Sequence, residues 1–157
     1  VLRLKAGATG KEKVRVWDVA SNRRGDLLAS AWGDGAVRLW SLPPGDQLLS
    51  GGPNPSLPTE PRSIIRGHGD GLGSSAPDVY SVDFHSAEGH VVTGGHDRTV
   101  RLFDVETSQE VKVFGGHEAG VLHAVSNPYG NLLVSGGRDS AINFWDVMSG
   151  VCVKTLR

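Results

Sequence analysis

Residues 121–146 read "VLHAVSNPYGNLLVSGGRDSAINFWD": three short apolar and β-branched runs, separated by turns rich in Asn, Pro, Gly and Asp. Runs of this length with these boundaries predict strands rather than a helix. Two further stretches of equal length align with this one without a gap, residues 16–41 and residues 79–104. In each, a strand-like opening leads to a Gly-centred turn, assigned to Gly25, Gly89 and Gly130. A second strand ends in Ser30, Thr93 or Ser135, and four residues later comes a turn aspartate, Asp34, Asp97 or Asp139. Six residues beyond that stands an aromatic, Trp40, Phe103 or Trp145. Self-similarity of this kind means that one supersecondary unit is built several times over.

The repeat resembles the WD-repeat family, whose units run ~40 to 45 residues with Gly-His near the start and Trp-Asp near the end, each folding as a four-stranded propeller blade. Gly67-His68 and Gly116-His117 supply the first signal, and Trp145-Asp146 spells the second. Phe103-Asp104 and Trp40-Ser41 stand in its place in the other units. Trp17-Asp18 is out of register: it aligns with Tyr80-Ser81 and Leu122-His123, on the first strand of a unit. Gly89-His90 and Gly95-His96 are likewise turn residues of the unit.

The expected fold is therefore all-β, with about three blades of four antiparallel strands plus one orphan outer strand, an incomplete ring. The orphan strand is placed at residues 1–5, blade one at 15–66, blade two at 79–114 and blade three at 121–156. The first two units are offset by 63 residues and the next two by 42. The excess falls mainly in the proline-rich insertion 42–62 and in the Gly/Ser-rich residues 69–77, compositions that oppose helix and ladder pairing and predict a surface excursion. A chain that begins at Val1 and stops at Arg157, where another Gly-His would follow, reads as a cut inside a larger ring.

Composition agrees with strands: there are 22 glycines and one methionine in 157 residues. No stretch approaches the ~18 consecutive apolar residues of a membrane span, so the chain reads as soluble. The single Cys152 has no internal partner for a disulfide, which fits a reducing compartment, cytoplasmic or nuclear, and a buried strand position. Net charge is -1, which gives no global basic footprint. The local exception is Arg3, Lys5, Lys11, Lys13, Arg15, Arg23 and Arg24, a run that usually marks a solvated face.

His117, Ser135 and Asp139 have the composition of a hydrolase triad, and His68, Thr93 and Asp97 repeat it. The family resemblance implies instead a buried network in which the third-strand indole donates to the hydroxyl, the hydroxyl bonds the imidazole and the carboxylate takes the other ring nitrogen. Buried polar groups need such pairing, and no motif here offers an exposed nucleophile with an oxyanion hole. The network is expected complete in unit three, with Trp145. Unit two loses the indole to Phe103. Unit one has Glu12 where the histidine belongs, so Ser30, Asp34 and Trp40 are expected to lack the histidine as a partner and the blade to be less rigid. On that reading Asp139→Ala destabilises more than Asp34→Ala. The spacing of His85, His90 and His96 is not that of a zinc site, and no phosphate-binding glycine loop opens a helix, so no metal or cofactor is expected.

In the family, the residue after the first-strand valine points toward the channel mouth, beside the residue preceding the turn aspartate. The resemblance thus implies Trp17, Tyr80 and Leu122, accompanied by Gly33, His96 and Arg138, as a partner-binding set. The alternative is that Trp17 and Tyr80 pack between blades. The expected function is a non-enzymatic scaffold or adaptor that binds proteins or peptides for multiprotein assembly. The second reading is an RNA- or ribonucleoprotein-assembly subunit using the basic N-terminal cluster. Family adaptors of cullin ubiquitin ligases carry Arg two residues after the Trp-Asp aspartate; Glu106 and Met148 stand there, so the resemblance does not extend to them.

Overall fold

The computed structural model describes residues 14–44, 58–69, 77–86 and 89–157. The proposed orphan strand 1–5, Glu12, and the greater part of both inserted stretches lie outside the described residues. Twelve strands are formed among those described: β1 (Val16–Ser21), β2 (Leu27–Trp32), β3 (Ala36–Ser41), β4 (Ser63–Arg66), β5 (Val79–Phe84), β6 (His90–Gly95), β7 (Thr99–Asp104), β8 (Glu110–Gly115), β9 (Val121–Ser126), β10 (Leu132–Gly137), β11 (Ile142–Asp146) and β12 (Cys152–Leu156). They make three four-stranded antiparallel sheets in the orders β1-β2-β3-β4, β5-β6-β7-β8 and β9-β10-β11-β12, with no closed ring. Each sheet is a meander of sequential neighbours, so every unit is a blade built from local pairings.

The blades pack in sequence through their innermost strands, β1 beside β5 and β5 beside β9. One apolar core joins the first two blades through Leu39, Ile65, Val79, Val91 and Phe103; a second joins the last two through Val100, Phe114, Val121, Leu133 and Trp145. An innermost strand leaves a row of backbone groups without a ladder partner. Side chains of the preceding blade supply some of the missing acceptors. Asp18 Oδ2 accepts from Val82 N at 3.1 Å, and Ser81 Oγ, at the aligned position, accepts from Ala124 N at 3.2 Å. Trp17-Asp18 thus contributes to the joint between blades, which is why it stands on a first strand. Asp83 is half-buried at the second joint, where it accepts from Ser126 N at 3.4 Å, and this partial burial raises its pKa.

Turn chemistry sets the lengths. Gly25 and Gly130 hold φ of 74° and 71°, a left-handed conformation that costs glycine nothing. Gly89 does not share that position: it falls one residue later, where its carbonyl accepts from Val105 N at 2.9 Å, as the Asn131 carbonyl accepts from Val147 N at 3.1 Å. The aspartates that close the third strands cap the next turn, Asp104 Oδ1 accepting from Thr107 N at 2.7 Å and Asp146 Oδ1 from Ser149 N at 2.6 Å. In blade one the chain leaves after Leu42, whose N donates to Asp26 O, and returns at Arg62, whose N donates to Leu39 O. Cys152 is half-buried on β12 against the second core. Among the described residues no helix is long and apolar enough to cross a membrane.

Candidate functional site

The triad-like residues come together in the blade interiors. In blade three, His117 Nδ1 lies 2.8 Å from Asp139 Oδ2, and Nε2 lies 2.8 Å from Ser135 Oγ, which also accepts from Trp145 Nε1 at 2.8 Å. Ser135 has no exposed surface. With its oxygen enclosed by an indole and an imidazole, no substrate carbonyl reaches it, and the constellation is a structural tie between a loop and two strands. In blade two, His68 bridges Asp97 Oδ1 at 2.9 Å and Thr93 Oγ1 at 2.6 Å, and Phe103 leaves Thr93 the Arg101 carbonyl at 3.5 Å. Gly95 and Gly137 make room for the rings: a Cβ on either would approach the imidazole to 2.5 Å and 2.8 Å respectively.

Among the described residues, blade one has no histidine on its serine and aspartate, and other side chains stand in its place. Trp32 occupies the position that Gly95 and Gly137 hold in the other blades. Its indole donates to Ser30 Oγ at 2.7 Å, alongside Trp40 Nε1 at 2.8 Å. Asp34 pairs with both terminal nitrogens of Arg38, a residue only 1% exposed whose guanidinium lies 4.4 Å from the Trp32 ring centroid. Ser30, Asp34 and Trp40 therefore all have partners, and a Trp-Arg pair does the imidazole's work. Arg38 Nε, like Ser63 Oγ on β4, is buried with no hydrogen-bond partner among the described residues.

The three turn aspartates titrate alike. Burial opposes ionisation of Asp97, but hydrogen bonds from His68 and Thr99 and the nearby charges of His68 and Arg101 hold it far below the ordinary 3.8. Asp34 and Asp139 are also lowered, burial again being overcome, by Arg38 in one case and by Glu118 N–H and His117 in the other. A depressed native pKa contributes stability that is complete above the unfolded value and is lost as pH falls through the native one. Stability from these groups is expected to hold between about pH 5 and 7 and to decline below about pH 4. Asp83 contributes with the opposite sign, so the comparison that isolates the effect is Asp97→Asn against wild type. Urea midpoints measured from pH 5 to pH 2.5 should fall less steeply in the variant; parallel curves would show that Asp97 carries no such linkage.

The predicted partner-binding residues lie on the face formed by the starts of β1, β5 and β9 and by the β2–β3, β6–β7 and β10–β11 turns. The register shifts between Val16 and Asp18, between Val79 and Ser81, and across Leu122, so each of Trp17, Tyr80 and Leu122 is the extra residue of a β-bulge. A bulge re-aims its side chain out of the pleat. Trp17 is 41% and Leu122 45% exposed, while Tyr80 is half-buried. The Trp17 and Tyr80 rings meet edge to face, centroids 5.3 Å apart. Tyr80 Oη is 3.1 Å from His96 Nδ1, and the Arg138 guanidinium sits 5.1 Å from the Tyr80 centroid. Gly33 lies under Trp17, where a Cβ would approach Nε1 to 3.3 Å. Arg138 therefore joins the Trp17–Tyr80–His96 group rather than Leu122. Arg15, read in the sequence only as part of a basic run, lies 5.8 Å from the Trp17 centroid. That run is divided: Arg23 and Arg24 sit in the β1–β2 turn at the opposite end of the sheet, and residues 3–13 are outside the described residues. Among the described residues no group of three or more His, Cys, Asp or Glu is arranged to hold a metal.

Successive antiparallel meanders packed inner strand to inner strand, each tied inside by a turn aspartate and a hydroxyl, define a protein of propeller-blade repeats. The chain belongs to the WD40 repeat family (WD domain, G-beta repeat), which matches residues 6–41, 59–104 and 108–146. It is similar to Coronin-7 of Rattus norvegicus, at 27% identity over 135 residues, 85% of this chain and 13% of that protein. It is also similar to F-box-like/WD repeat-containing protein TBL1X of Mus musculus, at 31% identity over 86% of this chain and 24% of that protein. A third relative is transcription initiation factor TFIID subunit 5 of Caenorhabditis elegans, at 24% identity over 92% of this chain and 22% of that protein. The chain thus spans at most about a quarter of these relatives' length.

Proposed function

We propose that this chain is a non-enzymatic interaction module that holds other proteins or peptides for multiprotein assembly on the face carrying Trp17, Tyr80 and Leu122. The observation that carries this reading is the repeated bulge, which places a large aromatic or aliphatic side chain at the start of every inner strand and leaves Trp17 and Leu122 exposed. Aromatic anchors with a polar tip, held on rigid strands, are the residues that most often dominate binding energy. The relatives' printed names, one of them a subunit of a larger factor, are in keeping with an assembly role.

Trp17→Ala or Tyr80→Ala in the intact protein is expected to weaken capture of its partners by ~2 kcal/mol or more, as read by quantitative co-purification. The melting temperature should stay near that of wild type for Trp17→Ala, because the ring is largely outside the core. Unfolding of that variant, or retention of every partner by both, would show that these rings are packing residues and that the partner surface lies elsewhere.

A further inference from the structure

Resting on the reading of this face as a protein-binding surface, we infer that its ligand is an acidic peptide segment, gripped by Arg15 and Arg138. The Arg138 guanidinium lies over the Tyr80 ring, 5.1 Å from its centroid, and that of Arg15 over the Trp17 ring at 5.8 Å, and the two rings contact each other, giving a continuous cation–ring–ring–cation row. A guanidinium held near a ring by cation–π attraction keeps N–H donors to offer, and a planar guanidinium takes a carboxylate through two parallel hydrogen bonds.

Neither arginine has a carboxylate partner among the described residues, although ion pairs are made elsewhere, as between Arg62 and Glu106 or Arg101 and Glu110. The turn aspartates of this face are committed inward: Asp34 to Arg38, Asp97 to His68 and Arg101, Asp139 to His117. Among the described residues the other acids of this face are Asp78, beside Gly33, and Glu118, which is paired with Arg157, so Arg15 and Arg138 leave positive charge in excess. Both arginines are exposed, and the surplus is met by a ligand carrying carboxylates. Single-stranded nucleic acid fits less well, because it needs bare ring faces for its bases, and here a guanidinium covers a face of each ring while the rings pack edge to face.

The test is fluorescence anisotropy on the intact protein, with a labelled peptide of glutamates around a central leucine and its glutamine counterpart. The glutamate peptide should bind at least roughly tenfold more tightly than the glutamine one, and Arg15→Gln or Arg138→Gln should each remove roughly tenfold. Raising salt should weaken the binding, and Arg62→Gln, on the opposite face, should leave it unchanged. Equal affinity for the two peptides overturns the inference, as does tighter binding of an oligouridine RNA through the same arginines. Should Trp17→Ala abolish partner capture while the glutamate peptide shows no preference, the face binds proteins by apolar contact and only the acidic-ligand inference falls.

Discussion

Trp32→Ala is expected to lower the unfolding free energy by about 3–5 kcal/mol, the range for removing a large aromatic from a packed interior. Trp32 is 2% exposed, so the ring leaves a cavity rather than a surface dent. The indole also supplies one of the two N–H groups that converge on Ser30 Oγ, and its face carries the Arg38 guanidinium. Its loss therefore removes packing, a buried hydrogen bond and the support of a buried charge together. Denaturant unfolding gives the measurement, with Trp40→Phe as the comparison: that variant keeps most of the volume and loses mainly one donor, at about 1 kcal/mol. Equal effects of the two substitutions would mean that Trp32 does not fill the place a histidine holds in the other blades.

The second large effect reverses an order that the sequence suggests. With no histidine in unit one, Asp34 looks as though it has less to lose than Asp139. In the structure Asp34 is the counter-ion of Arg38, whose side chain is 2% exposed. Deleting one member of a buried ion pair strands the other charge and costs about 3–5 kcal/mol, whereas stranding a hydrogen-bonded imidazole costs about 1–3. Asp34 is itself 26% exposed, so water that reaches Arg38 in the variant brings the first figure to its lower end, about 3 kcal/mol. Asp34→Ala is therefore expected to destabilise at least as much as Asp139→Ala. The double variant Asp34→Ala with Arg38→Met should recover most of the loss, because an apolar side chain of similar length needs no counter-ion. A double variant no better than Asp34→Ala alone would rule out a stranded charge as the cause.

Blade one shows where the sequence is legible and where it is not. The columns that end in Ser30, Thr93 and Ser135, then Asp34, Asp97 and Asp139, can be aligned because strand period and turn chemistry are local. What fills the histidine's volume is a tertiary matter, since the residues that meet there come from different strands. Even so, a signal was present: Trp32 interrupts a column of glycines, and a side chain that large where Gly95 and Gly137 must be small has to occupy what their absence of a Cβ makes room for. Arg38 and Arg101 likewise share a column four residues after their aspartates, and both pair with them.

The sequence by itself determined that the chain is all-β, that its unit repeats three times, and that Trp17-Asp18 is out of step with the Trp-Asp of the repeat. Those properties follow from residue spacing and turn residues, which act over a few positions. Only the tertiary structure decided that residues 17, 80 and 122 are bulged, that Asp18 reaches across to Val82 N, and that Arg15 and Arg138 lie on the rings of Trp17 and Tyr80. A bulge depends on how two strands slip against each other, and Arg138 meets Tyr80 only because the third blade packs beside the second. Neither is written in the spacing of one strand.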